Sequence, residues 1–422
     1  MDLAAKIRLL VIGLILGRWV AELGLEWLNR RNILAYAGAV PDRVTGIVDA
    51  PTYARSVQYS LAKGRFRRLE LTFSTGLLLI VLFTGVLPAG YAAMIGSFGE
   101  SVWALAGFIF LTGIALSVVG LPLDWYAQFR LEERFGFNTS TQKTWWLDRL
   151  KGVSLGIILG YPLLVLLLSF LRWTGWWWWL YAWAALLIFQ LLMTLLAPVL
   201  ILPLFNKFTP LGEGSLRQRL LKLAEQTQFR AQSIQVMDGS KRSRHSNAFF
   251  TGLGAFRKIV LFDTLIQQLS EPELEAVLAH EIGHYKKKHI PKMLAASAGA
   301  SLLGFYCLAV LANQAWFYRA FGFQPGNSAA AFLLFGLLAG VVTFWFSPWA
   351  HLWSRRYEYQ ADRFAAQAMG EPSSLIGALR KLNEKNLSNL TPHPLYSGFY
   401  YSHPTLLERE AALTVAVDAS SL

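Results

Sequence analysis

EPELEAVLAHEIGHYKKKHIPKMLAASAGASLLGFYCLAVLANQAW, residues 271–316, carries two signals in one stretch. Its first part reads as a helix over Glu271–Lys288: Ser270 suits the N-cap, Pro272 the first turn, and Glu271 and Glu273 place acid there. From about residue 291 the chain is an apolar run long enough to cross a bilayer. Positions i and i+4 of a helix share a face, so His280 and His284 point the same way. Glu281 is angularly close enough to reach a metal-bound water without taking a ligand position. HExxH so placed offers two zinc ligands and a general base. Zinc lowers the pKa of its water to about 7, which lets a carboxylate take the proton at neutral pH. The plain alternative is a solvated helix with two unrelated histidines. The apolar EAVLA before His280 argues for a buried helix instead.

Outward from this stretch, the chain is apolar. Of its 422 residues 54% are hydrophobic and 15% charged, against about 25% charged in soluble domains, and the mean hydropathy is +0.38. Spans are expected near residues 7–28, 71–95, 102–126, 152–172, 176–203, 291–316 and 328–350. The first is read as a retained helix, because no small-residue cleavage site follows it. The net charge of +13 comes from basic residues that flank these runs, the pattern of the positive-inside rule, so nucleic acid is not a partner. The basic connections are 30–68, 130–151 and 206–292, followed by Arg355 and Arg356. They face the cytoplasm on this reading, and the N-terminus lies outside. Trp176–Trp179 reads as an interfacial aromatic belt. Arg18 and Glu22, four apart, are expected to pair, and Gly13 and Gly17 to form a small-residue packing face.

The domains expected are residues 1–208, five helices with cytoplasmic loops; 209–290, a soluble α/β segment ending in the HExxH helix; 291–353, a transmembrane hairpin; and 354–422, a C-terminal segment. In the second, Leu216–Thr227 reads as a helix, and Ser233–Met237 and Lys258–Phe262 as short strands.

A catalytic zinc has three protein ligands and one open position. The single cysteine, Cys307, lies in an apolar run, so histidine and carboxylate must supply them. His289 lies nine residues after His280, about half a turn out of phase on a continuous helix, and the extended metzincin pattern fails at Lys287 and Ile290. The third ligand is therefore distant. Glu358, in SRRYEYQADRFA, lies on a helix continuing out of the last span, with Asp362 on the same face. One of the two can bind zinc while the other orients an imidazole. Two spans separate His284 from Glu358, so the chain returns to the side it left. A charged face pairing with Arg355 and Arg363 is the alternative.

HEIGH, EYQAD and the segments LPLDWYAQFRLEERFGFN (121–138), LPLFNKFTPL (202–211), DGSKRSRHSNAFFTG (238–252), IVLFDTL (259–265) and SHPTLLER (402–409) together resemble the type I CAAX prenyl proteases. The resemblance covers nearly the whole chain. It implies an α-helical polytopic membrane protein, with about seven transmembrane helices enclosing a chamber and a small α/β zinc metallopeptidase domain on the cytoplasmic side. It implies one Zn2+ per chain on His280, His284 and Glu358, with Glu281 as catalytic base. Asp362 becomes a proton donor or an orienting group. His403 stabilises the oxyanion with Arg409 in support. Asn247, before an expected edge strand, contacts the substrate backbone, and Arg409 is counted with it at the substrate. His245, His351 and His393 are read as structural or exposed.

The function expected is a zinc metalloendopeptidase of the membrane. It cuts near the C-terminus of peptide or protein substrates, prenylated or bare, by a Glu-activated zinc-bound water. It resides in the bacterial cytoplasmic membrane, or in the endoplasmic reticulum of a eukaryote. The rival readings are a general membrane quality-control metalloprotease of the HtpX type and a non-enzymatic metal-binding channel or transporter. Seven spans weigh against the first. The clustering of ligand candidates outside the apolar runs weighs against the second. An inactive scaffold would not need Glu281.

Overall fold

A computed structural model of the chain describes residues 1–229, 233–251 and 258–418. Gly252, which ends one of the segments named above, lies outside them. Helix α1 spans Leu3–Ala35, α2 Ala50–Phe83, α3 Val86–Phe98, α4 Val102–Glu132, α5 Gln142–Trp173 and α6 Gly175–Phe205. Strand β1 (Phe208–Pro210), helix α7 (Ser215–Gln226), strands β2 (Ser233–Met237), β3 (Ala248–Thr251) and β4 (Lys258–Phe262), and helices α8 (Asp263–Gln268) and α9 (Glu271–Lys286) follow. Helices α10 (His289–Ala312), α11 (Ala315–Arg319) and α12 (Ser328–Met369) lead to α13 (Ser373–Lys385), α14 (Pro394–Tyr400) and α15 (Leu406–Asp418).

Among the described residues, five helices are long and apolar enough to cross a membrane: α4, α5, α6, α10 and α12. The bent pair α2–α3 is a sixth if it is one span. The expected span over 71–95 breaks because Gly85 takes a left-handed φ of 82°, and α3 leaves at 56° to α2. Helix α1 is long enough, but Arg18, Glu22 and Glu26 sit in its middle. Arg18 does pair with Glu22, at 3.2 Å. Among the described residues, nothing comes within 4 Å of where a Cβ on Gly13 or Gly17 would stand. Trp176 and Trp177 are exposed, as a belt would be, but Trp178 is buried against Phe332. The outward faces of α4, α5 and α6 are apolar, with Leu111, Ile158 and Ile188 exposed. Such faces belong against lipid.

Two main cores divide the molecule. One joins the span helices around Leu82, Phe108, Leu168, Ala182 and Leu334. The other joins the sheet, α7, α9, α13 and the end of α12 around Leu223, Leu261, Leu278, Ile282 and Ala365. The sheet runs β1-β2-β4-β3, with β2 and β4 parallel and both outer pairs antiparallel. Strand β3 is therefore an edge, as its place after Asn247 led one to expect, and it packs against α9.

Candidate metal centre

The site starts from the cap of α9. Glu273 accepts from the Ser270 backbone N–H at 2.7 Å and from its hydroxyl at 2.8 Å, a capping box. Burial opposes its charge, but Lys381 at 2.7 Å and the Ser270 donors outweigh that and hold the Glu273 carboxyl below the usual range. Leu274, Leu278 and Ile282 recur every four residues and fill the core. That leaves His280 and His284 on another face, toward α12.

Helix α12 runs on from its apolar part through one tighter turn at Phe344–Phe346, and its far end lies along α9. The approach is close enough to need glycine. A Cβ on Gly283 would stand 3.0 Å from the Ala361 Cα, 3.1 Å from its carbonyl oxygen and 3.1 Å from the Phe364 Cβ. The second variable position of HEIGH is thus set by packing against the carboxylate helix. Gly283→Val is expected to push the helices apart and cut metal occupancy several-fold, with overall fold retained by circular dichroism. Wild-type occupancy in that variant would show that the close crossing does not set the site.

Glu358 and Asp362, both nearly fully buried, face the histidines. His280 Nε2 and His284 Nε2 are 3.2 Å apart, His280 Nε2 lies 3.5 Å from Glu358 Oε2, and His284 Nε2 lies 3.3 Å from Glu358 Oε1. Ligands at tetrahedral angles around zinc are separated by about 3.3–3.4 Å. Glu358 Oε2 is buried without a hydrogen-bond partner, a cost that a bound cation would remove. Two imidazoles and a carboxylate suit zinc. The three groups fit the metal.

Around this triangle, His280 Nδ1 lies 2.8 Å from Asp362 Oδ1 and 3.3 Å from Arg409 Nη2. The Arg409 guanidinium grips Asp362 with two nitrogens, Nε–Oδ2 being 2.8 Å, and its Nη1 lies 3.9 Å from Glu358 Oε2. Arg409 is thus turned onto the buried carboxylates, one layer behind the triangle. Its guanidinium meets the chain's own carboxylates and also lines the cavity that His403 faces, where the sequence reading counted it at the substrate. His403 Nε2 lies 3.5 Å from Glu358 Oε1, and the side chain is 64% exposed. It faces a cavity of about 780 Å³ whose wall includes Glu26, Tyr59, Lys63 and Arg67 from α1 and α2. Burial pushes the Glu281 carboxyl above the usual carboxylate range, against the pull of His280 and His284.

Asn247 stands apart. Its carbonyl accepts from the Phe262 N–H at 3.2 Å and its side chain from the Ala248 N–H at 2.8 Å. His245 stacks on Phe137 and its Nδ1 lies 2.9 Å from Asn386 Oδ1. His393 caps α14, accepting from the Leu395 N–H, and His351 Nδ1 is buried without a partner. His289 is not one of the three groups that meet, as expected, but it lies directly behind them. It is not out of reach: its Nδ1 lies 3.1 Å from His284 Nδ1 and its Nε2 lies 3.0 Å from Gln360 Oε1. The phase argument assumed one continuous helix. The chain instead breaks at Lys288, which has φ 57° and ψ 39°, and α10 starts anew at His289. Pro291, in the first turn of α10, is the local sequence signal of that break.

A family model for the CAAX prenyl protease N-terminal region, five membrane helices, matches residues 29–207, and one for peptidase family M48 matches residues 210–417. The chain is 34% identical to a CAAX prenyl protease 1 homolog of Arabidopsis thaliana, over 96% of each chain. It is 36% identical to CAAX prenyl protease 1 of Saccharomyces cerevisiae, over 87% of this chain and 86% of that one. The crystal structure of S. mikatae Ste24p superposes with a TM-score of 0.91 at 33% identity, covering 96% of this chain and 98% of that one.

Proposed function

The chain belongs to the CAAX prenyl protease family of M48 metallopeptidases, and from that premise we propose that it is a zinc endopeptidase of the membrane that cuts CAAX-type substrates near their C-terminus. The observation that carries this reading is the triangle of His280 Nε2, His284 Nε2 and the Glu358 carboxylate, whose Oε2 is buried without a hydrogen bond. We assign zinc to it, one per chain. Bound there, the metal supplies a Lewis acid that activates water and polarises the scissile carbonyl.

The chain's own residues do the rest. Glu281 accepts the proton of the attacking water and passes it to the leaving amine, a shuttle favoured by a carboxyl whose pKa is raised. His403, exposed at the cavity wall beside Glu358, donates to the oxyanion. Asp362 keeps His280 in the tautomer with Nδ1 protonated, and Arg409 holds the Asp362 charge. That favours the orienting role of Asp362 over proton donation, since both of its oxygens are already engaged. Strand β3, free on its outer edge, offers main-chain groups to an extended substrate, with Asn247 at its start.

The remaining assignments follow the same family reading. Helix α1 and the bent pair α2–α3 complete seven spans. The α/β segment and the site lie on the cytoplasmic side, where the basic connections cluster, in the endoplasmic reticulum of a eukaryote or the cytoplasmic membrane of a bacterium.

Matched peptides ending in a CAAX motif, prenylated and bare, test the substrate class. The purified protein in detergent is expected to release the C-terminal tripeptide from the prenylated peptide at a kcat/KM at least tenfold higher. Equal rates would remove the lipid from the account, and no cleavage of either peptide by zinc-loaded protein would refute the substrate assignment.

A further inference from the structure

The two histidines of the triangle are held in different ways. His280 Nδ1 faces a carboxylate, Asp362. His284 Nδ1 faces another imidazole, at 3.1 Å from His289 Nδ1. His289 is 1% exposed and stacks on the Tyr357 ring, with centroids 4.0 Å apart and planes 11° from parallel. Its second nitrogen, Nε2, meets Gln360 Oε1 at 3.0 Å.

These contacts leave one consistent placement of the protons. A neutral imidazole has one N–H donor and one acceptor nitrogen. If His284 Nε2 is to bind a metal, its proton must sit on Nδ1. His289 Nδ1 must then accept, so the His289 proton sits on Nε2, where Gln360 Oε1 accepts it. The opposite polarity would put a proton on His284 Nε2 and block that ligand. It would also set His289 Nε2, an acceptor, against a carbonyl oxygen.

We propose that His289 is a positioning residue for the metal, fixing the tautomer and ring orientation of His284 through an N–H···N bond, with Gln360 fixing His289 in turn. This rests on His284 being a metal ligand. The chain of bonds also ties the two feet of the membrane hairpin together. His289 is the first residue of the outgoing helix α10, and Gln360 lies on the returning helix α12 beside Glu358. The elements that supply the triangle are thereby held in register by the same bonds that set the proton.

The test uses zinc competition against a graded chelator on full-length protein in detergent, for wild type, His289→Leu, His289→Asn and His284→Ala. Leucine fills the space without an acceptor, whereas the asparagine Oδ1 stands near the place of the imidazole Nδ1. His289→Leu is expected to weaken zinc binding about 10–100-fold, as loss of a partner behind a metal-bound histidine does, and His289→Asn to recover most of it. A purely structural role would not rank Asn above Leu. Wild-type zinc affinity in His289→Leu, with zinc lost from His284→Ala, overturns the proposal and leaves the ligand assignment standing. Zinc retained by His284→Ala overturns both. Histidine-selective 15N NMR of zinc-loaded wild type needs no variant to fold. It is expected to find His289 protonated on Nε2, and protonation on Nδ1 overturns the proposal.

Discussion

Glu281→Gln is expected to lower peptide cleavage by about 10²–10⁴-fold, the range of a general base, while zinc content stays near that of wild type. The side chain belongs to none of the three groups that meet in the triangle, and among the described residues none hydrogen-bonds its carboxylate. The amide keeps the volume and removes the proton acceptor. Metal analysis and single-turnover cleavage on the same preparation separate the two effects. Residual activity above about one tenth would mean that another group takes the proton.

Glu358→Ala is expected to lose nearly all bound zinc, and activity with it. Two histidines alone leave the cation with one carboxylate fewer, and Glu358 is the buried carboxylate beside both imidazoles. Asp362→Asn should behave differently. It removes the charge behind His280 Nδ1 and frees the Arg409 guanidinium, yet leaves the triangle intact. Zinc affinity in that variant should fall about 10–100-fold without vanishing. Loss of metal from Asp362→Asn together with retention in Glu358→Ala would exchange the two roles.

Much of this site was legible in the residues. Helical phase put His280 and His284 on one face, and the two-span excursion pointed to Glu358 on the returning helix. The strands at Ser233–Met237 and Lys258–Phe262 formed where they were expected, and Ser270 capped α9. What escaped was whatever depends on contacts between distant segments. HExxH places no demand on Gly283, and it is Ala361 against its backbone that requires glycine there. His289 was set aside on helical phase, which does not carry across the break at Lys288 that Pro291 signals. Arg409 entered the site through the family resemblance, as a partner of His403 and the substrate, and the packing of α15 on α12 turns it onto Asp362. The kink at Gly85 had a local signal, the glycine itself, but the apolar run around it continued without interruption and masked it.

The central claim is a split site: two ligands on the helix before a membrane hairpin and one on the helix that returns. Anomalous diffraction at the zinc edge from crystals of the zinc-loaded protein tests it most directly. The expected result is one peak per chain, about 2.0–2.2 Å from His280 Nε2, His284 Nε2 and a Glu358 oxygen. A peak ligated by Asp362 or His289 in place of Glu358, or lying away from all three, would contradict it.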